Sequence, residues 1–209
     1  MKEDILEQLV DDFLQSSGYF TRHNIKFRPR KNSNGYESKS DSNHSDIDVL
    51  GINPKKEGAD RVWVVSCKSW QSGFNIAAEL DAIENEKRRS GREAWKRFRE
   101  LLVPRWTDAF FDAIGEATGQ TAFTYVTAVT FVKGKTLDWE RYPAFVSSLK
   151  GNPLKVLELQ EVLKYLDESI STTVASSAIG RTLQLMRASK RGAEALKREV
   201  GVQMAVPEE

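Results

Sequence analysis

Cysteine is nearly absent. Cys67 stands alone, so no disulfide can form within the chain and a cross-linked secreted scaffold is excluded. Histidine is scarce too. His23 and His44 stand isolated, and neither reads as a catalytic group, although His44 is close enough to an acid-bearing strand to contact a phosphate. No apolar run approaches the length needed to span a bilayer, which excludes a transmembrane helix. The opening "MKEDILEQLVDDF" is acidic and amphipathic, unlike a signal peptide. These absences read together as a soluble, cytoplasmic chain.

Net charge is also lacking: it totals +1 over 209 residues, enough chain for one domain with a sizeable core and an appendage. The balance is local rather than uniform. Residues 21–40 carry Arg22, Lys26, Arg28, Arg30, Lys31 and Lys39 against Glu37 alone. Residues 86–105 are also rich in Arg and Lys, and Arg181, Arg187 and Lys190 belong to a third basic stretch. A neutral total can therefore hide basic faces suited to phosphates, or faces that are simply solvated.

The hydrophobic pattern gives the elements. Ile5, Leu6, Leu9, Val10, Phe13 and Leu14 recur at helical spacing and predict a helix over 3–16, with Gly18 as its left-handed cap. "YFTRHNIKFRPR" has strand character, and residues 31–45 read as a flexible loop or a wide hairpin tip. "DIDVLGI" (46–52) and "RVWVVSCK" (61–68) are strands joined by the turn "NPKKEGAD". Helices are predicted over 75–90, over "REAWKRFRELL", and from Pro104 to about Gly119. A β-branched strand follows at 121–132, then a helix around 139–149, a strand "LKVLEL" and a helix "QEVLKYLDE". A small-residue junction "SISTTVASSA" leads to a last helix over about 176–198 and a loose tail. This order defines an α/β sandwich with a central mixed β-sheet flanked by helices, in residues 1–168, and a helical C-terminal extension in residues 169–209.

Alternation along strands assembles the chemistry. Asp46 and Asp48 share one face of their strand, with Ile47 and Val49 on the other; Ser66 and Lys68 share one face of theirs. If the two strands form a hairpin, acid and lysine meet at a strand end. Such a cluster suits phosphodiester hydrolysis, in which a carboxylate holds Mg²⁺ and a lysine stabilises the attacking hydroxide and the pentacovalent charge.

Asp48, seventeen intervening positions, and then Ser66-Cys67-Lys68 resemble the motif of the PD-(D/E)xK nuclease superfamily. The helix and strand "ILEQLVDDFLQSSGYFTRHNI" resemble that superfamily's first two elements, so the likeness spans about residues 3–80 well. It implies a restriction-endonuclease-like fold, Asp48 as metal ligand, Lys68 as catalytic lysine, and a backbone carbonyl of Cys67 on the metal. Ser66 stands where the second acid belongs. Some Ser-x-Lys members recruit a glutamate about fourteen residues after the lysine, but that position here is Ala82. Glu79 and Glu84 border the apolar stripe of the following helix, whereas Asp81 points away. Glu79 ranks first as the substitute acid and Glu84 second. Glu7, at the rim of the first helix's stripe, is a further candidate.

The expected activity is an Mg²⁺-dependent DNA endonuclease, with Mn²⁺ able to substitute, in a restriction or defence setting. Catalytic candidates are Asp48, Lys68, Ser66, Glu79 and Glu7; metal candidates are Asp48, Cys67, Glu79 and Glu84. Arg22, Lys26, Arg28, Arg30, Arg88, Arg92 and Lys96 are candidates for backbone phosphates. Trp70 and Phe74 either stack on a base or belong to the core. Expected partners are DNA and a second copy or a larger complex, with no membrane. The alternative is an inactive nuclease-fold module that binds nucleic acid or scaffolds a complex.

Overall fold

The strand pair predicted over 46–68 lies at the middle of a five-stranded mixed sheet. The computed structural model describes residues 4–89, 91–169 and 177–203. In chain order the elements are α1 (Ile5–Ser16), β1 (Phe20–Phe27), α2 (Ser38–Asp41), β2 (Ser45–Ile52), β3 (Val62–Lys68), β4 (Phe74–Asn75), α3 (Ile76–Glu84), β5 (Arg88–Arg89) and β6 (Arg92–Glu93). They continue with α4 (Arg99–Leu102), α5 (Pro104–Thr118), β7 (Thr124–Val129), β8 (Val132–Lys133), α6 (Thr136–Glu140), α7 (Pro143–Ser148), β9 (Leu154–Glu158), α8 (Leu159–Ser169) and α9 (Ala178–Gln203). The central sheet has the order β1-β2-β3-β7-β9, antiparallel from β1 to β3 and parallel from β3 to β9.

Helices cover both faces. α1 begins where Asp4 accepts a hydrogen bond from the Leu6 amide at 2.8 Å, an N-cap, and ends where Gly18 takes φ 84° and lets the Tyr19 amide reach the Leu14 carbonyl. Its Leu6, Leu9, Val10 and Leu14 are buried with Val49, Val65, Val126 and Ala128 of the sheet and with Val162 and Leu166 of α8. On the other face Trp106, Phe110 and Ile114 of α5 pack with Phe27, Val64, Tyr125, Trp139 and Phe145. Each fully buried side chain of this size contributes about 1.5–3 kcal/mol. The first residues of α9 join the α1 side, where Ile179 and Leu183 pack against the same cluster. No helix among the described residues is long and apolar enough to cross a membrane.

Several elements differ from their prediction. Of the two expectations for residues 31–45 the wide hairpin tip is the one found, and it is anchored rather than flexible. Asp41 at the end of α2 is fully buried and accepts hydrogen bonds from Trp106 Nε1 at 2.9 Å and Arg105 Nε at 2.6 Å. The helix predicted over 75–90 stops at Glu84 because Glu86 turns left-handed, φ 49°, and the short β5–β6 hairpin follows. "REAWKRFRELL" is a 3₁₀ turn over Ala94–Arg97 and the brief α4, which bury Ala94, Phe98 and Leu101. The helix predicted around 139–149 is two, α6 and α7, divided before Pro143. Most of the junction 169–176 and the tail 204–209 lie outside the described residues, while α9 runs on to Gln203.

Candidate active site

The sheet splits at the C-terminal end of β3. Its ladder with β2 runs from Ile52↔Val62 only as far as Val49↔Val65. Its ladder with β7 continues to Lys68↔Val129, and β2 stays with β1 as far as Phe27↔Ser45. Ser66, Cys67 and Lys68 therefore face a gap on the β2 side. The Asp48 side chain bridges that gap: Cys67 N donates to Asp48 Oδ2 at 2.6 Å. In a strand a residue's N–H and C=O point to the same side, so the Cys67 carbonyl is directed to the same gap.

Strict alternation fails at this point. Ile47 packs with Leu50 and Val64 on the α5 side, whereas Val49 packs on the α1 side, so Ile47 and Val49 do not share a face as the sequence implied. Asn24 lies opposite Asp48 between the His23↔Val49 and Ile25↔Ile47 pairs and takes the left-handed conformation, φ 54°. At this irregular point the Asp48 carboxylate meets the Cys67 amide in the opening.

A cleft of about 1040 Å³ occupies the opening, lined by Asp46, Asp48, Ser66 and Lys68. Its lining also includes Glu79, Glu100, His44 and Trp70, and the cations Arg89, Arg92, Lys96, Arg97, Arg99 and Lys133. Lys68 Nζ donates to Ser66 Oγ at 2.7 Å and sits 5.6 Å from the centre of the Phe98 ring. Burial raises the Asp48 pKa, against the lowering pull of Lys68 and of the Cys67 amide. Burial also pushes the Cys67 thiol well up, so this sulfur is protonated and inert.

Glu7 lies in the α1 layer and does not line the cleft, but its charge interacts with those of Asp48 and Lys68. Its pKa is raised to about 7, chiefly by burial and then by the charges of Asp48 and Asp4, with His23 and Lys68 pulling the other way. The α1 N-terminus is tied to the strand end by a hydrogen bond from Ser69 to Asp4. Asp48 and Glu7 are thus two carboxylates whose charges oppose each other.

The other candidate acids have different settings. Glu79 lines the cleft but is buried and clamped: Oε1 accepts from Arg89 Nη2 at 3.2 Å and Oε2 from Arg97 Nη1 at 3.2 Å. Glu84 is exposed, interacts with Tyr142, and is not brought to the cleft, because the turn of α3 that buries Ala82 and Ile83 points it outward. Glu100 was missed by the sequence reading. It is buried in the cleft wall and accepts a hydrogen bond from Tyr125 Oη at 2.6 Å. No periodic signal marked it, since α4 is one turn long.

Among the predicted phosphate contacts, Arg92 and Lys96 line the main cleft. Lys26, Arg28 and Arg30 line a second cleft of about 360 Å³, which meets the first at His44. Arg22 and Arg88 line neither; Arg88 instead donates to the Gly91 carbonyl at 3.0 Å. Trp70 walls the cleft with Arg97 stacked 4.9 Å above its ring, whereas Phe74 is buried in the core.

Among the described residues no group of three or more His, Cys, Asp and Glu side chains is placed to hold a metal ion. The arrangement does suit an ion such as Mg²⁺, which keeps several waters and takes only one or two carboxylates. Asp48 offers one at the cleft, where the Cys67 carbonyl faces the same gap, and Glu7 is the α1 carboxylate whose charge interacts with it.

The molecule is thus an α/β protein with a mixed five-stranded sheet and an acid–lysine cleft at the end of its central strand. No protein family, curated protein or solved structure matches the chain.

Proposed function

We propose that the chain is a metal-dependent DNA endonuclease of the PD-(D/E)xK type on a restriction-endonuclease-like fold. The observation that carries this reading is the meeting of Asp48 and Lys68 in one large cleft whose remaining lining carries six Arg and Lys side chains against three acids. Helix, strand, acid-bearing strand and lysine-bearing strand follow one another in the order the resemblance implies.

In this reading Asp48, Glu7 and the Cys67 carbonyl hold Mg²⁺, or Mn²⁺ in its place. The bound ion lowers the pKa of a water and neutralises charge on the phosphate. Lys68 supplies a fixed positive charge for the attacking hydroxide and the developing pentacovalent oxygens. Arg92, Arg97 and Lys96 hold the flanking backbone, and the cleft containing Lys26, Arg28 and Arg30 extends that grip past His44. Glu79 organises the arginine wall rather than the metal, because both of its oxygens are engaged.

The second reading, a nucleic-acid-binding module without catalysis, draws on one observation: among the described residues no three His, Cys, Asp or Glu side chains are grouped to hold a metal ion. Incubation with supercoiled and linear DNA in Mg²⁺ or Mn²⁺, beside Asp48→Ala and Lys68→Ala, separates the two. Metal-dependent cleavage lost in both variants supports the nuclease. Salt-sensitive binding without cleavage, indifferent to Asp48→Ala, supports the module.

A further inference from the structure

Ser66 is the departure from the family motif, and its surroundings give it a definite task. Lys68 Nζ donates to Ser66 Oγ at 2.7 Å. Ser66 lines one small pocket with Tyr125 and Glu100, and the Tyr125 hydroxyl donates to Glu100 Oε1 at 2.6 Å. Ser66, Tyr125 and Glu100 are 8 %, 1 % and 6 % exposed. The β3–β7 register pairs Val64 with Tyr125, which puts the tyrosine on the face shared by Val64 and Ser66. Lys68–Ser66 and Tyr125–Glu100 are thus two hydrogen-bonded pairs on one face of the sheet, set between the cleft and the core.

If the two pairs join through the Ser66 and Tyr125 hydroxyls, the two ends fix the direction of every bond. An ammonium has only protons to give, and a carboxylate has only lone pairs. Each hydroxyl between them must therefore accept from the cleft side and donate toward Glu100. With the Ser66 proton directed at Tyr125, a lone pair of Oγ is held toward Lys68. A carboxylate at position 66 could not serve, because it would offer no proton to Tyr125 and would confront Glu100.

We propose that the Ser66 hydroxyl donates to Tyr125, joining the two pairs, so that Tyr125 and Glu100 are positioning residues that act through Ser66 to hold the Lys68 ammonium at the cleft beside Asp48. The catalytic consequence rests on the nuclease reading; the hydrogen-bonded line does not. The alternative is that Tyr125 and Glu100 are merely a satisfied polar pair in the core, with Arg99, whose charge also feels Glu100, as the local counter-ion.

The test uses the full chain with ¹⁵Nζ-labelled lysine, the Lys68 ammonium resonance being assigned by its loss in Lys68→Arg. Hydrogen-bonded ammonium protons exchange slowly with water. Tyr125→Phe and Ser66→Ala are each expected to speed Lys68 exchange about ten-fold. Ser66→Thr keeps the hydroxyl and is expected to retain the slow rate. Circular dichroism establishes that each variant is folded. In cleavage assays Tyr125→Phe is expected to lower kcat about ten-fold with KM for DNA unchanged. Exchange that is unaltered in both folded variants overturns the proposal, whether or not the protein cleaves DNA. Altered exchange in a protein that cuts no DNA upholds the line and removes the nuclease reading instead.

Discussion

The Cys67 amide donates to the Asp48 carboxylate at 2.6 Å just beyond the last paired residues of the β2–β3 ladder. The side chain thus substitutes for a backbone acceptor. Asp48→Asn, which keeps an oxygen acceptor, is expected to stay folded while losing cleavage at least 100-fold. Asp48→Ala leaves the amide without that acceptor and is expected to lose about 1–3 kcal/mol of stability as well. Chemical denaturation beside a plasmid-nicking assay measures both. Full activity in Asp48→Asn would sink the assignment of Asp48 as metal ligand.

Glu7 gives a pH signature. Its carboxyl rises from an ordinary 4.5 to about 7 in the folded protein, so the native state holds this proton more tightly than the unfolded chain does. The resulting stabilisation is complete below 4.5 and is lost as pH climbs through about 7. Glu7→Gln is therefore expected to gain on the wild type by about 1 kcal/mol between pH 5 and 8, after allowance for partial solvent exposure. Mg²⁺ is expected to raise the wild-type melting temperature more at pH 8 than at pH 5.5, and this increment should shrink in Glu7→Gln. An Mg²⁺ effect independent of Glu7 would separate this residue from the metal.

Restoring the motif acid should fail. Ser66→Glu places a second carboxylate in a buried position near Glu100 and removes a hydroxyl that both gives and receives. A loss of about 2–4 kcal/mol is expected, with no gain in cleavage. Thermal melts and initial rates decide this, and a faster, stable Ser66→Glu enzyme would contradict the role assigned to Ser66.

Glu79 restrains two arginines. Glu79→Gln is expected to free Arg89 and Arg97 for phosphate, tightening DNA binding and steepening its salt dependence by about one to two counterions. Titrations of fluorescent duplex across a salt series report the slope. Weaker binding in the folded variant would mean that the clamp serves to shape the cleft instead.

The hairpin tip has its own dependence on Asp41. Burial would raise this carboxyl, but hydrogen bonds from Arg105, the Glu37 amide, Trp106 and Ser40 hold it down to about 2. A depressed acid stabilises the fold above its unfolded value of 3.8 and ceases to do so as pH falls through about 2. Asp41→Ala is expected to cost about 3 kcal/mol at neutral pH, because it leaves Arg105 and Trp106 without their buried partner. Equilibrium denaturation at pH 7 and pH 2.5 tests both the size and the narrowing of the gap.

Elements with a strong period were legible. The stripe of α1, the β2–β3 hairpin and the Pro104 start of α5 appear where the sequence puts them. Elements shaped by distant partners were not. Asp41 looked like one more polar loop residue, yet its partners lie 64 and 65 positions away. Nothing in the residues after Glu84 announced a break, since the left-handed residue there is a glutamate and not a glycine. At the site, Asp48, Ser66 and Lys68 share a lining as two neighbouring strands allow, while Glu100 was hidden in a stretch read as an ordinary helix. The likeness of Ile47 and Val49 as neighbours on one face was defeated by the twist at Asn24.

The parting of β2 from β3 leaves one short strand end accessible from both layers of the sandwich. Glu7 approaches it from one layer, and Glu79 and Glu100 stand on the other side. A carboxylate missing from the strand is therefore replaceable from either layer without redrawing the backbone. In such an architecture the sheet sets where charged groups meet, and the layers around it set which groups they are.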